Sequence, residues 1–195
     1  MNHNHPAILA TQDWIKKIVI QQNFCPFAKK PFDEKRIDYI ICEKTEHSDI
    51  LEAIMQTLVT LEGEQTIETS LVILPAALVV FDDYLDCLDM AVLLLKHSGY
   101  EGIFQIASFH PDYIFEGNQA DASDNYTNRS PYPCFHILRE ASLAEQIDKF
   151  PNVDDIPQRN IEKAQTLGVD YFKKTLNTII EHATNKAKWQ SCPIK

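Results

Sequence analysis

Glycine is scarce in this chain, with five in 195 residues against the ~7% typical of soluble proteins. Gly63, Gly99, Gly102, Gly117 and Gly168 include no pair separated by a single residue. The sequence therefore lacks a G-x-G dinucleotide turn, a G-x-x-x-x-G-K phosphate loop and a G-x-S-x-G nucleophile elbow. Cysteine is equally uninformative as a framework: the five lie at 25, 42, 87, 134 and 192, an odd number without a C-x-x-C. That usage suits a reducing compartment and points to a cytoplasmic protein. Long apolar runs are missing as well. Leu71 to Phe81, which contains Pro75, is too short for the ~20 residues of a membrane span, and the first residues lack the cationic and apolar regions of a signal peptide. Positive charge is the last shortage. The formal net charge is −10, and the lysines come as isolated pairs (Lys16/Lys17, Lys29/Lys30, Lys173/Lys174), so binding to a phosphate backbone is disfavoured.

What is present reads as one soluble domain, since this length suits a single core. Helical spacing of Trp14, Ile15, Ile18 and Val19 predicts a helix from Thr11 to Gln22. Alternation marks a strand over Arg36–Cys42, with Ile37, Tyr39 and Ile41 on one side. Ile50, Ile54 and Leu58 form the stripe of a helix from Ser48, and Ser70–Leu74 reads as a strand covered on both faces. A helix over Asp82–Ser98 stops at Gly99, and a strand over Gly102–Phe109 ends at His110-Pro111. Cys134–Arg139 is a further strand, with Cys134, His136 and Leu138 opposite Phe135, Ile137 and Arg139. Ser142-Leu143-Ala144-Glu145 matches a capping box; Pro157 suits a helix start, Gly168 its end, and Phe172, Leu176, Ile179 and Ile180 space a final helix. Strands separated by helices imply crossover connections. The expected fold is an α/β single-domain sandwich, a partly parallel sheet of about four strands covered by helices. The domain is expected over 11–184, between a flexible tail at 1–10 and a frayed one at 185–195.

Chemistry concentrates in three segments at the ends of these elements, where an α/β sheet places its ligand crevice. Cys25, next to Pro26 in Asn23–Ala28, is a candidate nucleophile or soft ligand, against a bland reading as a small core residue. His110 and His136 are the imidazoles placed for acid/base work, each also readable as a satisfied structural histidine. Between them, residues 111–133 form a polar connection longer than ordinary loops. Its string Asn128-Arg129-Ser130-Pro131-Tyr132-Pro133 offers a guanidinium fork and hydroxyl and amide donors on a stiff backbone, a pattern suited to an anion. Arg139 supplies a second cation. The plainer alternative is a loop pinned by its own arginine.

These segments, as Asn23-Phe24-Cys25-Pro26-Phe27-Ala28, Ser108-Phe109-His110-Pro111-Asp112-Tyr113 and Asn128–Pro133, resemble a family of uncharacterised conserved bacterial proteins, also found in plastid-bearing eukaryotes. The resemblance runs from about Asp13 to Phe172 and implies one domain, but no reaction or cofactor. Three functions stay open. The first is an enzyme acting on a small anionic metabolite, with Cys25, His110 and His136 performing the chemistry and Asn128, Arg129, Ser130 and Arg139 holding the substrate. The second is a metal protein using Cys25, His110, His136 and loop carboxylates such as Asp112, Glu116 or Asp124. The third is a non-catalytic scaffold module. They separate on whether Cys25, the histidines and the arginines converge in one cleft.

Overall fold

A computed structural model describes residues 4–190 and, for side chains, residues 4–188. Its element order is α1 (Pro6–Trp14), α2 (Lys29–Asp33), β1 (Ile37–Ile41), α3 (His47–Gly63), β2 (Thr69–Ile73), α4 (Phe81–His97), β3 (Phe104–Phe109), β4 (Cys134–Arg139), α5 (Glu140–Lys149), α6 (Ile156–Leu167) and α7 (Val169–Gln190). Four strands form one sheet in the order β1-β2-β4-β3. β1 and β2 are parallel, and β4 runs antiparallel to both of its neighbours, β2 and β3. The partly parallel α/β sandwich read from the sequence is therefore the observed fold. Its strand order follows from β4 being threaded between two strands that run in the same direction.

Period-two alternation sorts side chains onto the two faces of the sheet. Ile40, Val72, Ile106, Phe135 and Ile137 pack against α3 and α4, along with Ile50, Ile54, Leu58, Cys87 and Ala91. Tyr39, Leu71, Ile73 and Cys134 face the other way, onto Ile8 and Trp14 of α1 and onto Phe172 and Ile179 of α7. Each fully buried Leu, Ile or Phe side chain contributes about 1.5–3 kcal/mol, so both layers anchor the sheet. Leu71 and His136 are register partners, as are Ala107 and His136. His136 thus stands centrally on the α1/α7 face.

Two boundaries differ from the reading above. Residues 6–10, expected as part of a loose tail, are helical. Pro6 occupies the first turn, the His5 side chain accepts from the Ala7 amide at 3.2 Å, and Ala7, Ile8 and Ala10 are buried. A nine-residue helix is too short to be stable alone and is held by the apolar face it buries against α7. At the other end α7 continues to Gln190; residues 191–195 of the expected frayed tail lie outside the described residues. The capping box at Ser142 does not form, because β4 passes directly into α5 at Glu140 and no side chain caps that helix. Gly99 and Gly168, at φ +80° and +75°, do end α4 and α6. Among the described residues no helix is long and apolar enough to cross a membrane.

Candidate functional site

The site is assembled around an irregularity in the first helix. After Trp14 the chain takes wider π turns over Ile15–Ile20, with the Gln21 amide reaching back to the Lys16 carbonyl at 3.1 Å. Such turns insert an extra residue and re-aim the side chains that follow. Asn23 then enters the left-handed region at φ 60°, a conformation asparagine tolerates. Phe24 turns inward to stack on Phe172 at 6.0 Å. Cys25, half-buried, follows at the sheet surface.

Between this segment and the α1/α7 face of the sheet lies a cavity of about 270 Å³. Its walls are almost wholly apolar: Trp14, Val19, Phe27, Leu71, Phe109 and Leu138 supply much of the surface. Three of the predicted residues reach it, namely Cys25, His136 and Arg139. Thr69, Glu68, Ser142 and Gln146 complete its polar lining.

His136 is held in one tautomer. The Thr69 hydroxyl donates to the Ile137 carbonyl at 2.6 Å and so has no proton left for the ring; the 2.7 Å contact between Thr69 Oγ1 and His136 Nε2 must be a donation by the imidazole. Nδ1 is left as a bare acceptor, without a hydrogen-bond partner among the described residues. Burial lowers the His136 pKa from 6.5 to about 4, so the ring is neutral near pH 7. Trp14 is the second unusual wall residue. It is 1% exposed, its ring meets Phe109 edge-on at 5.0 Å, and its Nε1–H is buried without an acceptor. An unpaired buried donor costs about 1–3 kcal/mol, so native structures rarely leave one.

Cys25 carries opposing influences. Burial raises its pKa, and the backbone amides of Phe27 and Ala28 beside the sulfur lower it by a smaller amount, although the Ala28 N–H donates to the Cys25 carbonyl at 3.3 Å. The net direction is upward, so the resting group is the thiol. The two amides come from the turn that Pro26 opens, and they are the arrangement that favours negative charge on sulfur once it forms.

The remaining predicted residues go elsewhere. His110 is fully buried on the opposite, α4-facing side of the sheet, with ring centroids 5.1 Å from both Phe81 and Tyr84. Its Nε2 donates to the Leu78 carbonyl at 2.9 Å and Nδ1 accepts from the Asp112 amide at 3.0 Å. Burial, outweighing the Leu78 bond and Asp112, lowers its pKa. Both nitrogens are thus occupied, and the Leu78 bond holds a residue at φ 52°.

Arg129 holds its own loop. Nε donates to the Tyr113 carbonyl at 3.1 Å, Nη2 to the Ala120 carbonyl at 2.7 Å, and the guanidinium lies 4.6 Å from the Tyr126 ring centre. Asn128 donates to the Ser108 carbonyl and Ser130 to the Tyr132 carbonyl. Fully buried Asn125 ties the loop together by accepting from Phe115 and Asn118 and donating to Gln119. The long connection is therefore ordered by internal bonds, with a 3₁₀ turn at Ser123–Thr127.

Arg139 belongs partly to the site and partly to the scaffold. Its guanidinium donates to the Leu61 carbonyl in the last turn of α3 and to the Glu64 and Ile67 carbonyls just past it, and lies 5.6 Å from the Phe104 ring centre. Among the described residues no group of three or more His, Cys, Asp or Glu side chains is placed to hold a metal ion. Cys25 and His136 share a cavity wall while His110 stands across the sheet.

Trp14 and Thr69 did not stand out in the sequence. Trp14 read as one more residue of an apolar helix face, and Thr69 immediately precedes the expected strand. The only available signal for Thr69 was its place next to the strand expected over Ser70–Leu74, because the pairing that sets it beside His136 is non-local.

Compared with known families, residues 6–174 match one described as "Protein of unknown function (DUF1415)". No curated protein and no solved structure matches the chain.

Proposed function

We propose, for a chain that belongs to the DUF1415 family, that the cavity between Cys25 and His136 binds a small, uncharged, largely apolar molecule. Its volume of about 270 Å³ falls just under the ~300–1,000 Å³ of drug-sized ligand sites, which suits a compact ligand. The observation that carries the reading is one open acceptor on an apolar wall: Thr69 fixes the tautomer of His136 and leaves Nδ1 facing the cavity without a donor. A ligand with one hydrogen-bond donor on an apolar body satisfies it, while the Trp14 ring supplies apolar surface with its Nε1–H sealed away from the cavity. The neutral imidazole and protonated thiol provide no counter-charge for an anion. The wider expectation of a small anionic metabolite held by Arg129 and Arg139 draws less support, since both guanidinium groups already donate to backbone carbonyls.

An enzymatic role is the second reading, favoured by Cys25 lining the same cavity as His136, with the Phe27 and Ala28 amides beside its sulfur. In that reading Cys25 attacks as its thiolate, and Thr69 holds the neutral His136 ring across the cavity as a hydrogen-bonding group for the substrate. The test uses Trp14 fluorescence in a Trp189→Phe background, with small amides and carboxylates matched in carbon skeleton. Amides are expected to shift the emission and to slow alkylation of Cys25, with both effects lost in His136→Phe. Carboxylates binding in preference to amides would instead support the anionic reading. Failure of both series to protect Cys25 would remove the cavity from consideration.

A further inference from the structure

We infer that the free edge of β1 is a docking groove for an extended, basic peptide segment, which adds to the sheet as a fifth strand. β1 is an outer strand with one neighbour, β2. The Cys42 amide donates to the Ile73 carbonyl across that pair at 3.0 Å. Backbone groups alternate in direction along a strand, so Asp38, Ile40 and Cys42 point theirs at β2, while Tyr39, Ile41 and Glu43 turn N–H and C=O outward. Tyr39 shows this directly: its amide donates at 2.9 Å to the carboxylate of its own neighbour, Asp38, rather than to another strand.

The edge does not face open solvent. It floors a groove of about 720 Å³ between the two helical layers, with His5 and Ile8 of α1 on one side and the Glu52, Gln56 and Thr60 stripe of α3 on the other. A slot between a strand edge and a helix is the arrangement in which an added strand gains main-chain hydrogen bonds from the edge and side-chain selection from the walls. The charge of the walls selects the occupant. Asp38, Glu43, Asp49 and Glu52 line the groove against Lys44 and His5, and His5 is already 3.6 Å from Glu43. Lysine or arginine at alternate positions of an added strand would meet these carboxylates. A second copy of this chain would bring the same four acids, on a molecule of net charge −10, against them. The groove is separate from the Cys25–His136 cavity, so this inference stands apart from the ligand proposed there.

The experiment titrates the full-length protein with the peptide Thr-Lys-Val-Lys-Val-Lys-Thr, with its glutamate counterpart, and with the lysine peptide N-methylated at alternate residues. Fluorescence anisotropy reads affinity, and hydrogen exchange reads the Ile41 and Glu43 amides. The lysine peptide is expected to bind and to slow exchange at both amides, while the glutamate and N-methylated forms do not. Binding should weaken as salt rises, and by about tenfold or more in Glu43→Lys/Glu52→Lys, where like charges are opposed. Both side chains are exposed, so circular dichroism of this variant should match the parent. Three results would each overturn the proposal: no binding by the lysine peptide, equal binding of the N-methylated form, or Ile41 and Glu43 amides protected by self-association without peptide.

Discussion

Lowering the pH from 7 to 4 should destabilise this protein through one identifiable imidazole. His136 takes up a proton near pH 6.5 in the unfolded chain and only near pH 4 in the folded one, because burial disfavours its charged form. Between those values the unfolded state binds a proton that the folded state refuses. The His136 contribution is therefore fully present above pH 6.5, declines as pH falls through the window, and is gone below pH 4. At 1.36 kcal/mol per pH unit, the full difference amounts to about 3 kcal/mol. The ring borders a cavity that water can enter, which lessens the burial cost, so about 2 kcal/mol is the expected loss. Urea unfolding midpoints measured from pH 7.5 to 4 supply the assay, with His136→Gln as the comparison. Glutamine does not titrate and retains a donor for the Thr69 hydroxyl. His110 and the carboxylates titrate in both proteins, so the difference curve isolates His136. The stability gap between parent and variant should change by about 2 kcal/mol across the window. Parallel pH curves for the two proteins would refute the assignment of a buried, neutral, Nε2-protonated imidazole.

Three further outcomes follow from the same geometry. Tyr84→Phe should lose about 1–3 kcal/mol in urea unfolding, because the fully buried hydroxyl donates to the Cys134 carbonyl at 2.9 Å and accepts from the Phe109 amide at 3.1 Å. Arg139→Lys should destabilise by about 1.5–3 kcal/mol, as an ammonium cannot reproduce a fork that reaches the Leu61, Glu64 and Ile67 carbonyls; a fully stable lysine variant would show that those bonds contribute little. In a Cys192→Ser background, iodoacetamide should modify Cys25 ahead of Cys42, Cys87 and Cys134, which are buried. Burial raises the Cys87 thiol to about 11 and the Cys134 thiol to about 12. The Cys25 rate, read by mass spectrometry, should still be climbing above pH 9, since its pKa is raised as well; a plateau already reached at pH 7 would contradict this.

Residue order by itself determined the local parts of this protein. The 3.6-residue stripe of Ile50, Ile54 and Leu58, the alternation of Ile37, Tyr39 and Ile41, and the glycines after α4 and α6 depend on neighbours a few positions away, and each element formed accordingly. The placement of His136 with Cys134 and Leu138, opposite Phe135 and Ile137, likewise required only the two-residue period of a strand. The glycine shortage also held its meaning: the cavity wall is built from side chains, without a glycine in its lining.

Tertiary pairing decided the rest. That β4 lies between β2 and β3 set Thr69 against His136 and thereby chose the tautomer of the ring. That Cys25 and His136 share a cavity while His110 faces α4 came from the two faces of a sheet whose strands are remote in sequence. Arg129 looked poised for an anion because a guanidinium reads the same beside a carbonyl as beside a ligand. Only the folded loop brought the Tyr113 and Ala120 carbonyls within its reach. The same holds for Trp14: a helix pattern can say that the ring is buried, and only packing can leave its N–H without a partner.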